Sequence, residues 1–335
     1  MLAIRADGNE AIGMGHFMRC IPIAKELMEN NQPVCFLTSD FSDTTVLTDN
    51  GISYFKLTDK NMSYSIQSRN WMLRHGCASI LIDTYEISPR DFDVLSQAGK
   101  VIYIDDLYAF DYNCSVIINY NLEASPELYS DSKYDRRLFL GPDYFPLRDE
   151  FCKIDNRDIR KDVGKVLITT GSTDDYNVSY HILNTLAQEY DNIEFHVLIG
   201  LYYKENYKRK LFGISERHNN VKLTPWGQNM AAFLTQFDLV LGPGSTIIFE
   251  ALSMNVPCIS FEFVSNHHDQ CMSMDEKLMV PFLGNIAVFN QALRERILKM
   301  FKEEIEYDRR KMRAENYGRY FDKKGAQRIA NIIRG

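Results

Sequence analysis

The stretch LAIRADGNEAIGMGHFMRC, residues 2–20, decides how the chain begins to fold. Leu2 to Arg5 is a short apolar, strand-like run, and Asp7, Gly8, Gly13 and Gly15 make the loop that follows it. His16 then opens a helix in which Phe17, Ile21, Ala24, Leu27 and Met28 recur at helical spacing as far as Asn30. A strand, a glycine-containing loop and an amphipathic helix are the first half of a βαβ unit.

The same alternation continues outward. Val34 to Thr38, Ser79 to Asp83, Val101 to Asp105 and Val116 to Asn119 read as further strands between helical stretches. After a pause at LGPDYFPLR (140–148) and a charged run at 155–162, a second set begins. Its strands are Val166 to Thr169, Glu194 to Ile199, Leu239 to Gly242 and Cys258 to Phe261. Its helices lie near Val178 to Tyr190, Ser245 to Met254 and Gln291 to Glu306, with a last one near Gly325 to Ile333. The expected fold class is α/β, with two doubly wound Rossmann-like domains facing a cleft. The expected boundaries are an N-terminal domain at 1–148 and a linker at 149–163. A second domain at 164–318 follows, then a C-terminal helix at 319–335 that crosses back to the first domain.

Composition narrows the class. The 335 residues are 45% apolar and 25% charged, with a net charge of −7, which fits two globular domains of roughly 150 residues. The basic residues at 309–313 follow an equally dense acidic run, so they predict a solvated helix face and no nucleic-acid partner. No apolar run approaches the roughly 18 residues of a membrane span, and Met1 to Gly8 already carries Arg5 and Asp7. Membrane insertion and a signal peptide are not expected. Seven scattered cysteines without a CxxC pair read as reduced core thiols of a cytoplasmic protein.

Strand ends are where ligands sit in such sheets. In the first loop, glycines permit close approach of a ligand, and the positive end of the helix keeps His16 neutral and able to accept a proton. A tight turn beside a histidine is the plainer account of the same residues. Met14 stands where a P-loop needs lysine, and Met18 where a dinucleotide fingerprint needs its third glycine, so both motifs fail. In the second domain, Gly244, Ser245 and Thr246 would present amides to a pyrophosphate at a helix start, with Ser245 capping that helix. Glu250, one turn further on the face of Thr246, would take the ribose hydroxyls. The loop containing Gly171 and Ser172 could approach the same phosphates or simply turn the chain. His267, His268 and Asp269 are too close in sequence to converge easily on one metal ion, so residues 265–270 read as a polar loop facing ligand. Asp105 and Asp106 are strand neighbours pointing to opposite faces, which makes one of them structural.

The segments IRADG (4–8) and IGMGHFMRC (12–20) resemble the N-terminal signature of the pseudaminic-acid-pathway UDP-sugar hydrolases, which act on UDP-2,4-diacetamido-2,4,6-trideoxy-β-L-altropyranose. The similarity continues through LIDTY (81–85), VIYIDDL (101–107), residues 140–151 and GSTIIFE (244–250). A spore-coat polysaccharide branch of the family is also similar. The resemblance implies a glycosyltransferase-B architecture and metal-free, cofactor-free, inverting hydrolysis of a UDP-sugar at its anomeric carbon. It implies His16 as catalytic base, with Tyr85 and Asp269 as its catalytic companions. Arg5, Asp7, Gly13, Gly15, Asp83, Asn266 and Gln270 would line the sugar. Gly171, Ser172, Gly244, Ser245, Thr246 and Glu250 would bind UDP. Two positions depart from the family pattern: Thr170-Gly-Ser-Thr173 replaces a Gly-Gly-Ser-Asp, and Asp269-Gln270 stands where many members have Asn-Gln. A glycosyltransferase with the same donor site and a non-catalytic sugar-nucleotide binder are the rival readings.

Overall fold

A computed structural model describes residues 1–227, 229–263, 268–278, 280–318 and 320–335. The chain divides into two units, Met1–Arg148 with Lys323–Gly335, and Asp149–Asp322.

The first unit is built on seven strands: β1 (Leu2–Ala6), β2 (Val34–Ser39), β3 (Tyr54–Leu57), β4 (Ser79–Asp83), β5 (Lys100–Ile104), β6 (Val116–Asn119) and β7 (Arg137–Leu140). Their order is β3-β2-β1-β4-β5-β6-β7 and every pairing is parallel. Parallel neighbours need crossovers, supplied here mainly by α1 (Gly15–Glu29), α2 (Thr45–Asp49), α3 (Tyr64–Arg74) and α4 (Pro89–Ser96). Helices on both faces leave the inner strands without solvent contact, and β1, β6 and most of β4 and β5 are buried along their lengths. Leu37, Ile80, Ile82, Val101, Ile117 and Phe92 belong to one buried cluster.

The second unit starts at α5 (Asp149–Cys152) and carries β8 (Lys165–Ile168), β9 (Glu194–Ile199), β10 (Val221–Pro225), β11 (Leu239–Pro243), β12 (Cys258–Glu262) and β13 (Phe282–Asn285). Its parallel order is β10-β9-β8-β11-β12-β13. The helices are α6 (Val178–Leu186), α7 (Glu205–Ser215), α8 (Met230–Leu234), α9 (Thr246–Ser253), α10 (His268–Leu278), α11 (Gln291–Glu304) and α12 (Tyr307–Tyr317).

The charged run at 155–162, read as linker, is strapped onto this unit. Arg157 and Arg160 each reach Asp238 Oδ1, at 3.0 and 2.9 Å, while Asp238 Oδ2 accepts the amides of Gly164 and Lys165. The fully buried Arg310 donates to the carbonyls of Arg160 and Lys161. The last helix, α13 (Gly325–Arg334), belongs to the first unit, where it packs on α1 and beside a 3₁₀ turn at Pro142–Tyr144. A side chain at Gly325 would place its Cβ 2.0 Å from the Phe145 carbonyl oxygen, so only glycine lets α13 seat there. Among the described residues no helix is long and apolar enough to cross a membrane.

Candidate functional site

In a doubly wound sheet the ligand crevice opens where strand order reverses, beyond the carboxyl ends of the strands. In the first unit that point lies between β1 and β4, which pair with Ala6 opposite Asp83. The loop after β1 delivers His16 to the second position of α1, and β4 ends on Asp83. These are the two residues that meet: His16 Nδ1 lies 2.8 Å from Asp83 Oδ1.

Asp83 is fully buried, and burial alone would raise its carboxyl. The Arg19 guanidinium, and after it His16, outweigh burial and hold Asp83 well below the usual carboxylate range. An ionised carboxylate only accepts, so the imidazole carries its proton on Nδ1 and leaves the Nε2 lone pair as the basic site. Arg19 clamps Asp83 through both Nε (2.6 Å) and Nη2, and Nη2 also lies 3.1 Å from His16 Nδ1. Its Nη1 continues to Asp106 Oδ2 (3.0 Å) and to the Tyr120 hydroxyl (2.6 Å). The Cys20 thiol donates to Asp83 Oδ2 at 3.3 Å, and burial together with that carboxylate pushes its pKa up, so it stays protonated.

Tyr85 completes the group. Its ring meets the His16 ring edge-on, with centroids 4.7 Å apart, and its hydroxyl donates to Asp106 Oδ2 at 2.7 Å. Burial of that hydroxyl and the Asp106 carboxylate push the phenol above its ordinary range, which keeps it a donor. Asp105 and Asp106 lie in the loop just after β5 and not within the strand as expected, yet they do take separate roles. Asp105 turns inward to accept the hydroxyls of Tyr112 and Tyr129 and the amides of Leu107 and Tyr108, while Asp106 faces Tyr85 and Arg19.

Other expected sugar residues lie elsewhere in this unit. Arg5 Nη2 and Asp7 Oδ2 form a buried ion pair at 2.6 Å, and Asp7 also accepts the Ser39 amide and the Ser42 hydroxyl. Both therefore brace the ends of β1 and β2. Gly13 has φ +75° and exchanges two backbone hydrogen bonds with Asn9, so it is needed for the turn itself. Gly15 has open space where a side chain would project. Gly8 is excluded from larger residues because a Cβ would come within 2.7 Å of the Phe17 ring.

In the second unit the reversal lies between β8 and β11, and the two expected phosphate loops flank it. After β8, Gly171 has φ +86° with open space around its missing Cβ. The carbonyls of Gly171 and Ser172 are turned toward Gly200, where a Cβ would lie 2.3 and 2.5 Å from them, and Tyr202 donates to the Ser172 carbonyl. Neither the amide nor the hydroxyl of Ser172 has a partner among the described residues.

After β11 the arrangement corrects part of the sequence reading. The Gly244 amide donates to the Phe261 carbonyl (3.1 Å) and the Ser245 amide to the Pro243 carbonyl (2.6 Å), so neither is available to a phosphate. Ser245 occupies the N-cap position in extended backbone but makes no capping bond. Its hydroxyl and the first-turn amides of Thr246 and Ile247 have no partner among the described residues, and these are the donors that α9 presents to an anion. Glu250 is buried one turn along from Thr246 on the same helix face.

From His268 onward the expected polar loop is helix α10. His268 Nδ1 pairs with Glu262 at 2.9 Å, Asp269 is exposed in the first turn, where a carboxylate is favoured, and Gln270 is buried. His267 and Asn266 lie outside the described residues. Arg19, Asp106 and Tyr120 were not assigned roles from sequence. Arg19 had one signal, its position three residues after His16 on the same helix face.

No family model matches the chain. An uncharacterized protein of Methanocaldococcus jannaschii is 26% identical over 77% of the chain, which spans about half (54%) of that relative's length. The UDP-2,4-diacetamido-2,4,6-trideoxy-beta-L-altropyranose hydrolase of Campylobacter jejuni is 23% identical, over 82% of this chain and 95% of that protein. The spore coat polysaccharide biosynthesis protein SpsG of Bacillus subtilis is 21% identical, over 77% and 76%. Among solved structures, Acinetobacter baumannii MurG superposes with a TM-score of 0.66 at 11% identity, covering 99% of each chain. The UDP-GlcNAc 2-epimerase of Neisseria meningitidis, bound to UDP-GlcNAc, does so at 0.67 and 15% identity, covering all of both chains. These neighbours give two Rossmann-like domains of glycosyltransferase-B type. Two curated relatives, the Campylobacter jejuni hydrolase and SpsG, align with most of the chain, which is similar to both.

Proposed function

We propose that the protein hydrolyses a UDP-sugar, releasing UDP and a free diacetamido-trideoxyhexose for surface or spore-coat polysaccharide synthesis, without a metal or cofactor. The observation that carries this reading is His16: its Nδ1 is held by a buried, ionised Asp83, which leaves Nε2 as a base, and Tyr85 lies against its ring. The similarity to the Campylobacter jejuni protein, which is named for a UDP-sugar hydrolase, supports the substrate class.

In this mechanism the second unit holds the nucleotide. The amides of Thr246 and Ile247, with the hydroxyls of Ser245 and Ser172, receive the diphosphate, and Glu250 accepts the ribose hydroxyls. Nε2 of His16 takes a proton from water as the water oxygen bonds to the anomeric carbon. The bond from that carbon to the UDP oxygen breaks on the opposite face, its electron pair leaves with UDP, and the configuration inverts. Base catalysis of this kind contributes about 10²–10⁴-fold. Donors aimed at a developing charge contribute up to about 3 kcal/mol each. Tyr85, Asp269 and Gln270 are assigned to the sugar side of the reaction.

Solved glycosyltransferases and the Neisseria meningitidis epimerase share the fold, so transfer to an alcohol acceptor or epimerisation are the competing outcomes. Turnover in oxygen-18 water with chelator and without acceptor separates the three. Label in the free sugar supports hydrolysis, donor consumed only on adding an acceptor indicates a transferase, and an isomerised UDP-sugar indicates an epimerase. His16→Ala should lower turnover by at least about 100-fold with UDP affinity retained. Turnover within tenfold of wild type removes His16 from the mechanism.

A further inference from the structure

The first unit contains a cavity of about 570 Å³ that the proposed reaction does not use. It opens over the carboxyl ends of β1 to β4, with Arg5, Asp40, Leu57 and Thr84 contributed one from each strand or the loop after it. A second hollow of about 360 Å³ shares Phe41, Tyr64 and Glu86 with it. None of His16, Arg19, Asp83 and Tyr85 lines either space. The loop after β4 separates the two places: Thr84 and Glu86 face the cavity, and Tyr85 between them turns to His16.

The size lies within the roughly 300–1,000 Å³ of small-molecule sites, and the charge selects what enters. The positive charge of Arg5 is matched by Asp7 at 2.6 Å. The remaining wall sets Asp40, Asp59, Glu86 and Asp91 against Lys60, an excess of carboxylate that repels phosphate. Its hydrogen-bonding capacity suits a neutral ligand with hydroxyl and amide groups. The Glu86 carboxylate has no donor among the described residues, and Asp40 accepts the Tyr64 hydroxyl on Oδ1 alone. Arg5 Nη2 is buried against Asp7 Oδ2 at 2.6 Å, so the acceptors of the wall and not Arg5 define what binds. Apolar surface completes the lining: Phe41 is 74% exposed and Met62 38%, beside the ring of Tyr64. Carboxylate acceptors set among exposed apolar faces match a sugar ring bearing methyl or acetamido groups.

We propose that this cavity is a second saccharide site, which takes an uncharged N-acetylated sugar and rejects nucleotides and free phosphate. The inference does not depend on the hydrolase reading, and its test needs no turnover. N-acetylglucosamine is titrated into wild type, Phe41→Ala and Glu86→Gln with UDP saturating, and binding is followed by calorimetry and saturation-transfer NMR. Circular dichroism verifies that each variant is folded. Saturable binding that weakens at least about fivefold in both variants, with UDP affinity unchanged, is the expected result. Absence of sugar binding to wild type, binding indifferent to both substitutions, or equal competition by inorganic phosphate overturns the proposal.

Discussion

Replacing Asp83 by asparagine tests how the His16 centre works, because the change keeps the shape of the side chain and removes its charge. In the native protein the carboxylate receives His16 Nδ1 at 2.8 Å and a two-pronged contact from Arg19, all fully buried. An amide can turn its NH₂ group toward Nδ1, which places the imidazole proton on Nε2 and abolishes the base. Turnover should therefore fall by about 10²–10⁴-fold, the range attributed to a positioned general base. Breaking a buried ion pair from one side costs about 3–5 kcal/mol. The lower end is expected here, because Arg19 retains Asp106 at 3.0 Å and the Tyr120 hydroxyl at 2.6 Å. The assay is UDP release at saturating substrate, with thermal unfolding and UDP titration of the same preparations. UDP affinity should not change, since every donor assigned to UDP lies in the second unit. The pH dependence follows from the depressed Asp83 carboxyl: its stabilising contribution is complete above about pH 4 and is lost as pH falls below that. Asp83→Asn should remove this component of acid unfolding. A folded variant whose turnover lies within tenfold of wild type would refute the orienting role.

Three further outcomes are expected. Glu250→Gln should raise the Michaelis constant and the UDP dissociation constant about tenfold, with little change in maximal turnover; unchanged values in steady-state and binding measurements would undo the ribose assignment. Glu304 is buried between α11 and α12, and burial raises its carboxyl to about 7 even though Arg313 lies 2.9 Å away. Its folded-state value exceeds the ordinary 4.5, so its contribution is intact below about pH 4.5 and lost as pH rises toward 7. Glu304→Gln should flatten that decline, worth about 2–3 kcal/mol, in unfolding curves compared at pH 5 and pH 8. Gly325→Ala would drive a Cβ into the Phe145 carbonyl and should destabilise the first unit by about 1–3 kcal/mol, with earlier proteolytic release of the C-terminal helix.

The strands readable in the sequence and those that escaped it separate by position. β1, β2, β4, β5 and β6 of the first sheet, and β8, β9, β11 and β12 of the second, are recognisable as apolar runs. The four missed strands are β3, β7, β10 and β13, which are the edges of the two sheets. An edge strand has a neighbour on one side only and keeps partial solvent contact, as at Tyr54–Leu57 and Arg137–Leu140, so its residues carry no continuous apolar signal. The helix starting at His268 was missed for a related reason: a polar first turn resembles a loop until its backbone is seen.

For the site, the sequence by itself determined which loops follow which strands, and hence that His16, Asp83 and the loops at 171–172 and 244–246 would lie at carboxyl ends. Only the tertiary structure decided what those residues touch. It brought Arg19 to partners 64, 87 and 101 residues away, made Asp83 the partner of His16, and joined Arg5 to Asp7 instead of to a ligand. It also turned the Gly244 amide to Phe261. Local order follows from spacing along the chain, which the sequence records. Contact between distant side chains depends on sheet order and register, which are settled only when the strands assemble around a shared core.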